Sequence, residues 1–302
     1  MLFRNLQLYR FTAEFSHSTE ALERQLSAQA FQACAKNQTH SQGWVSPLGK
    51  HGEQRVHAAN GYMMLCLRKE ERLVPAAVLR EALEEKVEAI ELSEHRPVRG
   101  KEKARIKDEL LLDMLPRAFT RSRYTYAYIA PSSGWLVVDS SSPARAEELL
   151  SALRESLGGL PVLPLQVRNA PHSVFTHWLK QGHVEAGFEL GERCELHGVQ
   201  EQEGVIQIRR QSLDNEEIQV HIEAGKVVTK LALEFQNRLS FVLDDALSVK
   251  QLRFSDEVLE SLEEDSTDSF AAEFDARFAR MTLELEALFP ELLKAFGGEV
   301  EE

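Results

Sequence analysis

The chain has 302 residues, 43% of them hydrophobic and 27% charged, with a formal net charge of −13. That is long enough to bury a core without covalent staples and too hydrophobic for a disordered chain. No stretch approaches the roughly 18 apolar residues of a membrane span, and Met1 to Leu6 reads as a strand, not a secretory leader. Three cysteines, Cys34, Cys66 and Cys194, form no C-x-x-C pair; they argue for a reduced cytosolic protein with neither a disulfide framework nor a zinc knuckle.

In chain order, Phe3 to Phe15 alternates as a strand, and Ser18 offers an N-cap for a helix through Leu22, Leu26 and Ala30. Gly43 to Gly49 is loop. Asn60-Gly61 signals a hairpin before the apolar run Tyr62 to Leu67. Pro75 opens a helix whose Leu79, Leu83, Val87 and Ile90 make one apolar stripe. A second, charged helix spans Lys101 to about Leu115, where Pro116 ends it. Tyr124 to Ile129 and Trp135 to Val138 flank Ser132-Ser133-Gly134 as a hairpin. Helices follow from Pro143 to Leu157 and from Ser173 to Lys180, then a strand at Gly204 to Arg210 and a short helix at Asn215 to Ala224. Strands are expected at Val227 to Phe235, Leu239 to Leu243 and Val249 to Phe254. The last element carries Phe270, Phe274, Phe278, Met281, Leu285 and Leu288 at helical spacing. Pro290 is expected to kink or restart it, and Gly297-Gly298 to end it. Strands and helices mix without regular βαβ alternation, so the class is α+β with mixed antiparallel sheets and helices.

Taken whole, −13 disfavours a polyanion partner, but the charge is unevenly spread. From Phe254 to Glu302 there are 15 acidic and 3 basic residues, a net of −12, so the first 253 residues carry only −1. Between Arg96 and Arg123 there are nine basic and four acidic residues. The chain has a basic middle and an acidic C-terminal end.

Enzyme motifs are missing. Ala224-Gly225-Lys226-Val227 has the Gly-Lys of a phosphate-binding loop, yet Val220 and Val227 stand where that loop needs Gly and Ser or Thr. His172, His177 and His183 are spaced five and six apart, unlike ligands on one helical face. Asp244-Asp245 and Asp256-Glu257 could chelate a hard cation, although acidic pairs on loops are usually solvated. The reading is a non-enzyme with no metal or other cofactor. What the sequence does offer is cations. Arg96, Arg99 and Lys101 lie in the basic middle, and Arg117, Phe119 and Arg121 flank a helix end. Guanidinium groups grip phosphates, and Phe119 either stacks on a base or belongs to the core. Arg209-Arg210-Gln211 ends a strand. Alternation over Lys226 to Phe235 sets Val227, Thr229, Leu231, Leu233 and Phe235 on one face and Lys226 with Lys230 on the other. Such patches suit contact with the nucleic-acid backbone without base reading.

Longer stretches carry a family resemblance. Phe3-Arg4-Asn5-Leu6 with Tyr9-Arg10, Gly43-Trp44-Val45 with Pro47, Ala59-Asn60-Gly61, Lys107-Asp108-Glu109 and Leu115 to Phe119 are collinear with Gly158 to Pro164 (GGLPVLP), His221 to Leu233 (HIEAGKVVTKLAL), Phe274-Asp275-Ala276 and Gly297-Gly298. The chain resembles RdgC, a bacterial recombination-associated DNA-binding family, over essentially its whole length. The resemblance implies an elongated, curved subunit that closes as a homodimer into a ring around duplex DNA. It also implies binding of single- and double-stranded DNA with little sequence preference, restraint of the RecA recombinase, action at replication forks, and a cytoplasmic, nucleoid-associated location. Arg117, Phe119, Arg209, Arg210, Gln211, Lys226 and Lys230 fall at positions implied to contact DNA, with Phe119 resembling an aromatic at the ring's gate. Residues 1–160, including the basic region 75–123, form an expected N-terminal half, and 161–302 a C-terminal half ending in acidic helices; the two halves are also compatible with one continuous fold. The competing reading is an interaction adaptor whose acidic end holds a basic partner, with DNA binding secondary.

Overall fold

The computed structural model describes residues 1–184, 187–198, 204–264 and 269–300. Asp265, Asp268, Glu301 and Glu302 of the acidic end lie outside them. The first half comprises β1 (Leu6–Phe11), α1 (Thr19–Ala28), β2 (His40–Val45), β3 (Val56–Ala59), β4 (Tyr62–Leu73), α2 (Ala76–Glu94), α3 (Gly100–Met114), β5 (Phe119–Ala130), β6 (Trp135–Asp139) and α4 (Pro143–Leu157). The second comprises β7 (Val162–Pro164), α5 (Pro171–Gln181), β8 (Phe188–His197), β9 (Ile206–Arg209), α6 (Glu216–Glu223), β10 (Val227–Phe235), β11 (Leu239–Asp244), β12 (Val249–Phe254), α7 (Asp256–Glu264) and α8 (Phe270–Ala295). The fold is α+β.

One antiparallel sheet of 12 strands runs through both halves in the order β2-β4-β5-β6-β1-β12-β11-β10-β8-β9, with β3 on β4 and β7 on β1. Its two faces are treated differently. Leu8, Met64, Tyr128, Trp135, Leu231, Leu233 and Leu243 point to a core shared with Phe175, Phe278, Phe289 and Phe296 of the helical side. Helix α8 crosses this face: Phe278 meets Tyr128 at 6.1 Å, Phe289 meets Trp135 at 4.7 Å, and Phe296 meets Trp178 of α5 at 5.5 Å. On the opposite face, Tyr9, Leu65, Ile129, Leu136 and Val138 pack with Leu22, Leu26, Leu149 and Leu153 of α1 and α4. Among the described residues, no helix of that second cluster packs on β8 to β12, whose second face is left open.

Within the sheet the halves meet along β1, which pairs with β12 through Leu6↔Val249 and with β7 from Tyr9↔Pro164 to Phe11↔Val162. A buried polar knot closes this seam. Ser248 donates to Gln7 Oε1 (3.1 Å), Gln7 Nε2 donates to the Ser140 carbonyl (3.2 Å), and Asp139 accepts the backbone N–H groups of Arg4 and Asn5. Burial raises the Asp139 pKa despite those two hydrogen bonds.

Local chemistry behaves as expected at the caps: Ser18 accepts from Ala21 N, and Ser269 from Ala272 N. Asn60 and Gly61 both take positive φ, as a two-residue type I′ hairpin requires. Four expectations change. Gly43 to Val45, expected as loop, ends strand β2, where it pairs with Arg68 to Cys66 of β4. Strand β5 starts at Phe119, because its charged first residues pair with an equally long β4, from Leu73↔Phe119 through Glu71↔Arg121. Helix α8 continues through Pro290, an exposed residue whose missing N–H leaves the Glu286 carbonyl without its helical donor. On β10, Val228 and not Val227 or Thr229 joins the core. Thr229 is an extra residue between Val228↔Leu196 and Lys230↔Glu195, a bulge that shifts the alternation and separates Lys226 from Lys230.

The Gln7 knot has a measurable weight. Gln7→Leu strands two buried serines and should lower stability by about 2 kcal/mol, read as a fall in the urea midpoint at unchanged m-value.

Candidate nucleic-acid interface

Cations collect at two ends of the sheet. At one end, α2 and α3 form a helical hairpin whose buried residues are Leu79 and Leu83 on α2 and Ile106 on α3. The hairpin leads through Leu115–Arg117 into β5. Arg72 holds this junction by donating to the carbonyls of Leu115 (3.1 Å) and Ala118 (3.3 Å), and to Cys34 on the other side (3.1 Å). Phe119, 85% exposed, projects from it; this rules out the core alternative for that ring. Arg68 stacks over Phe31 at 4.1 Å and pairs with Glu70.

At the other end, the open face of β8 to β12 carries a hollow of about 600 Å³ lined by Arg193, Arg209, Arg210, Gln251 and Arg253, with small side chains such as Ala232 and Ser240 as its floor. Arg193 Nη1 donates to Gln251 Oε1 (3.0 Å), reaching past β10 and β11 to do so. Two irregularities shape the site. Arg210 and Gln251 both sit at positive φ (57° and 56°), a region that non-glycine residues enter rarely and at some cost. Gln251 lies in the register shift between β11 and β12, so the bulge re-aims neighbouring side chains.

Next to this hollow lies a polar ladder. Lys230 pairs with Glu195 at 2.6 Å, His197 Nε2 contacts the same carboxylate at 2.9 Å, and Gln207 donates to its other oxygen at 2.9 Å. Burial works against the Glu195 charge, but Lys230 and His197 outweigh it and hold its pKa below the ordinary value.

The RdgC family model, described as "Putative exonuclease, RdgC", matches residues 1–299. The chain is also 45% identical to the recombination-associated protein RdgC of Tolumonas auensis and 44% identical to that of Aeromonas hydrophila. A similar protein of Psychromonas ingrahamii shows 42% identity, and each alignment spans 99% of both chains.

The chain belongs to the RdgC family.

In this RdgC-family chain, the residues singled out from sequence divide by electrostatic state. Arg96 is held bidentately by Glu102 (2.7 Å twice) and by Glu94 (2.6 Å), and its pKa is raised accordingly. Arg121 faces Glu71 at 3.5 Å, and Lys230 faces Glu195. By contrast, Arg99, Lys101 and Arg117 are exposed and, among the described residues, have no carboxylate partner. Arg209 contacts only the neutral Gln207 (2.7 Å), Gln211 reaches Glu217 at 3.4 Å, and Lys226 donates to the Gly204 carbonyl (3.1 Å). Arg210 has its backbone N–H on the Glu192 carbonyl and its side chain exposed.

The chain brings Arg209 and Arg210 together with Arg193 and Arg253 but sets Arg117, Phe119 and Arg121 seven strands away, roughly 34 Å along the sheet at about 4.8 Å per strand. Sequence reasoning passed over Arg193 and Arg253. Each stands singly among unremarkable strand residues, and only the cross-strand pair Arg193↔Arg209 would have pointed to the first. Among the described residues no group of three His, Cys, Asp or Glu side chains is placed to hold a metal ion.

The Glu195 cluster predicts a pH effect with a definite sign. A carboxylate held below its ordinary pKa of 4.5 contributes stability above that value and loses it as pH falls through the folded pKa. Glu195→Gln should therefore flatten the acid limb of the stability–pH profile between about pH 4.5 and lower. It should also release Lys230 and tighten binding to heparin or DNA at low salt.

Proposed function

We propose that this chain binds double- and single-stranded DNA through the phosphate backbone, without reading sequence, and does so as a homodimer that encircles the duplex. The observation that carries this reading is electrostatic placement. Cations free of carboxylate partners gather at both ends of one sheet, at Arg99, Lys101 and Arg117 on one side and at Arg209 and Arg210 on the other. Two separated patches at the two ends of one sheet give a duplex two points of backbone contact. Enclosure takes a second copy related by a two-fold axis. Phe119, exposed at the far end of the basic hairpin, is a contact for that second copy, and the family resemblance supports a gate there. Topology then supplies residence time that a few phosphate contacts alone do not.

A protein seated on the backbone competes with a recombinase for the same phosphates, which supports a restraint on RecA and fits the recombination-associated relatives. Cys34, Cys66 and Cys194 are free and buried, and burial pushes the Cys66 and Cys194 thiols up to about 12. Unreactive buried thiols suit a reducing compartment, in line with a cytoplasmic, nucleoid-associated protein. The reading includes no catalytic step.

Three measurements test it. Retardation of random-sequence duplex should weaken steeply with salt, and Arg209→Ala with Arg210→Ala should lower the slope of log K against log[salt] by about 1.8; an unchanged slope removes these residues from the interface. Retention on covalently closed circles, with loss from linear duplex of equal length, is what encirclement demands, and equal retention contradicts it. End-labelled DNA incubated with the protein and Mg²⁺ or Mn²⁺ should keep its length. Shortening from the ends would instead support the exonuclease of the family description.

A further inference from the structure

The arginines of the open face differ from most cations of this protein in what surrounds them. Among the described residues, the side chains of Arg193 and Arg209 hydrogen-bond only to neutral amides, Gln251 and Gln207. Among the described residues, Arg4, Arg210 and Arg253 have no ion-pair partner. Glu192 and Glu234 line the same hollow, yet neither lies within ion-pair distance of an arginine there. A second hollow of about 710 Å³ adjoins the first, shares Gln251 and Arg253 with it, and is lined further by Arg4 and Arg277. Arg277 is already committed to Glu273 at 2.8 Å. The five guanidinium groups outnumber the carboxylates that line the two joined hollows, Glu192, Glu234 and Asp256, and the fold keeps them together at the additional cost of left-handed backbone at Arg210 and Gln251.

We infer that Arg4, Arg193, Arg209, Arg210 and Arg253 form one phosphate track that crosses the sheet from β9 to the start of β1 and seats consecutive phosphodiesters of a single nucleic-acid strand. The inference rests on the DNA-binding reading above and adds Arg4, Arg193 and Arg253 to it. The strands involved span about 24 Å at about 4.8 Å spacing, too far for one phosphate group. The aromatic rings lining the hollows, Phe241, Phe3 and Phe254, are buried. The track therefore offers forks for phosphate oxygens and no platform for base stacking. Gln251 is a positioning residue. Its amide oxygen holds Arg193 over the small floor residues, and its backbone N–H is fixed by Asn5 Oδ1 at 3.2 Å.

The test is Arg193→Gln with Arg253→Gln in the full-length protein, measured by salt titration on a 30-base-pair duplex and on dT and dC single strands. The slope should fall by about 1.8 on duplex and about 1.4 on single strands, with the same fold-loss on dT as on dC. Lys180→Gln, on the exposed side of α5 across the sheet, should leave the slope unchanged, and Arg253→Lys should recover the part lost at that position. Matching thermal melts show that the variants fold. An unchanged slope in the Arg193/Arg253 variant overturns the track. If Arg209→Ala with Arg210→Ala still lowers the slope, the DNA-binding reading survives that outcome. A wild-type protein with no salt-dependent DNA affinity removes both. Unequal losses on dT and dC would mean base contact and would also overturn the track.

Discussion

The structure depends on the seam between β1 and β12. Only Leu6 and Val249 align there as a register pair, so ladder hydrogen bonds alone make a weak joint. Side chains complete it. Gln7 spans Ser248 and Ser140, Asp139 caps the Arg4 and Asn5 amides, Asn5 Oδ1 takes the Gln251 N–H, and the Arg4 carbonyl takes the Leu252 N–H at 2.8 Å. Buried polar networks of this sort are costly when incomplete and specific when complete. Here the network turns two sets of strands into one continuous surface. It also fixes the backbone on either side of Gln251, which is where the open face acquires its bulge. The arginine hollow is therefore a consequence of the joint and not a separate decoration.

Face asymmetry explains how an acidic protein presents a basic site. Helix α8 lies on the covered face with Phe274, Phe278, Phe289 and Phe296 turned inward, and its five acidic and three basic residues leave it a net of only −2. Its one buried carboxylate, Glu284, is neutralised by Arg238 at the β10–β11 turn and by Arg280 on the next helical turn. The arginine hollow opens on the other side of the sheet. Solvent-exposed charges more than about 10 Å apart are largely screened at 0.1 M ionic strength, so the local arginines and not the net charge set what the open face attracts.

Much of this was legible in the sequence. The apolar stripes of α2 and α8, the Ser18 cap and the Asn60-Gly61 turn are local signals, and local signals survived. Arg209 and Arg210 were visible as an adjacent pair. The failures share a cause. The bulges at Thr229 and Gln251 depend on how partner strands align, and no period within one strand reports that. The pairing of Arg121 with Glu71 and of Lys230 with Glu195 joins residues 50 and 35 positions apart. A count of basic residues therefore treated them as equal to Arg210, which has no such partner. Phe119 was ambiguous because an aromatic beside a helix end packs or projects according to what the neighbouring strand covers, and β4 ends opposite it.

The distinction between paired and unpaired cations bears on what the salt slope counts. An exposed ion pair such as Arg96–Glu102 is worth at most about 1 kcal/mol, so a phosphate can displace the carboxylate at little direct cost. The displaced carboxylate nevertheless stays attached a few ångströms away, well inside a Debye length, and repels the incoming phosphate. Exchange therefore leaves net charge near zero at that position and releases few condensed counterions. An unpaired arginine brings its whole charge. On the proposed DNA-binding reading, the salt slope should report the unpaired set at Arg99, Lys101, Arg117 and the open-face arginines, with the carboxylates beside Arg96, Arg121 and Lys230 setting how weakly the rest contribute. On that same reading, the acidic residues within the basic regions would keep each of these contacts weak.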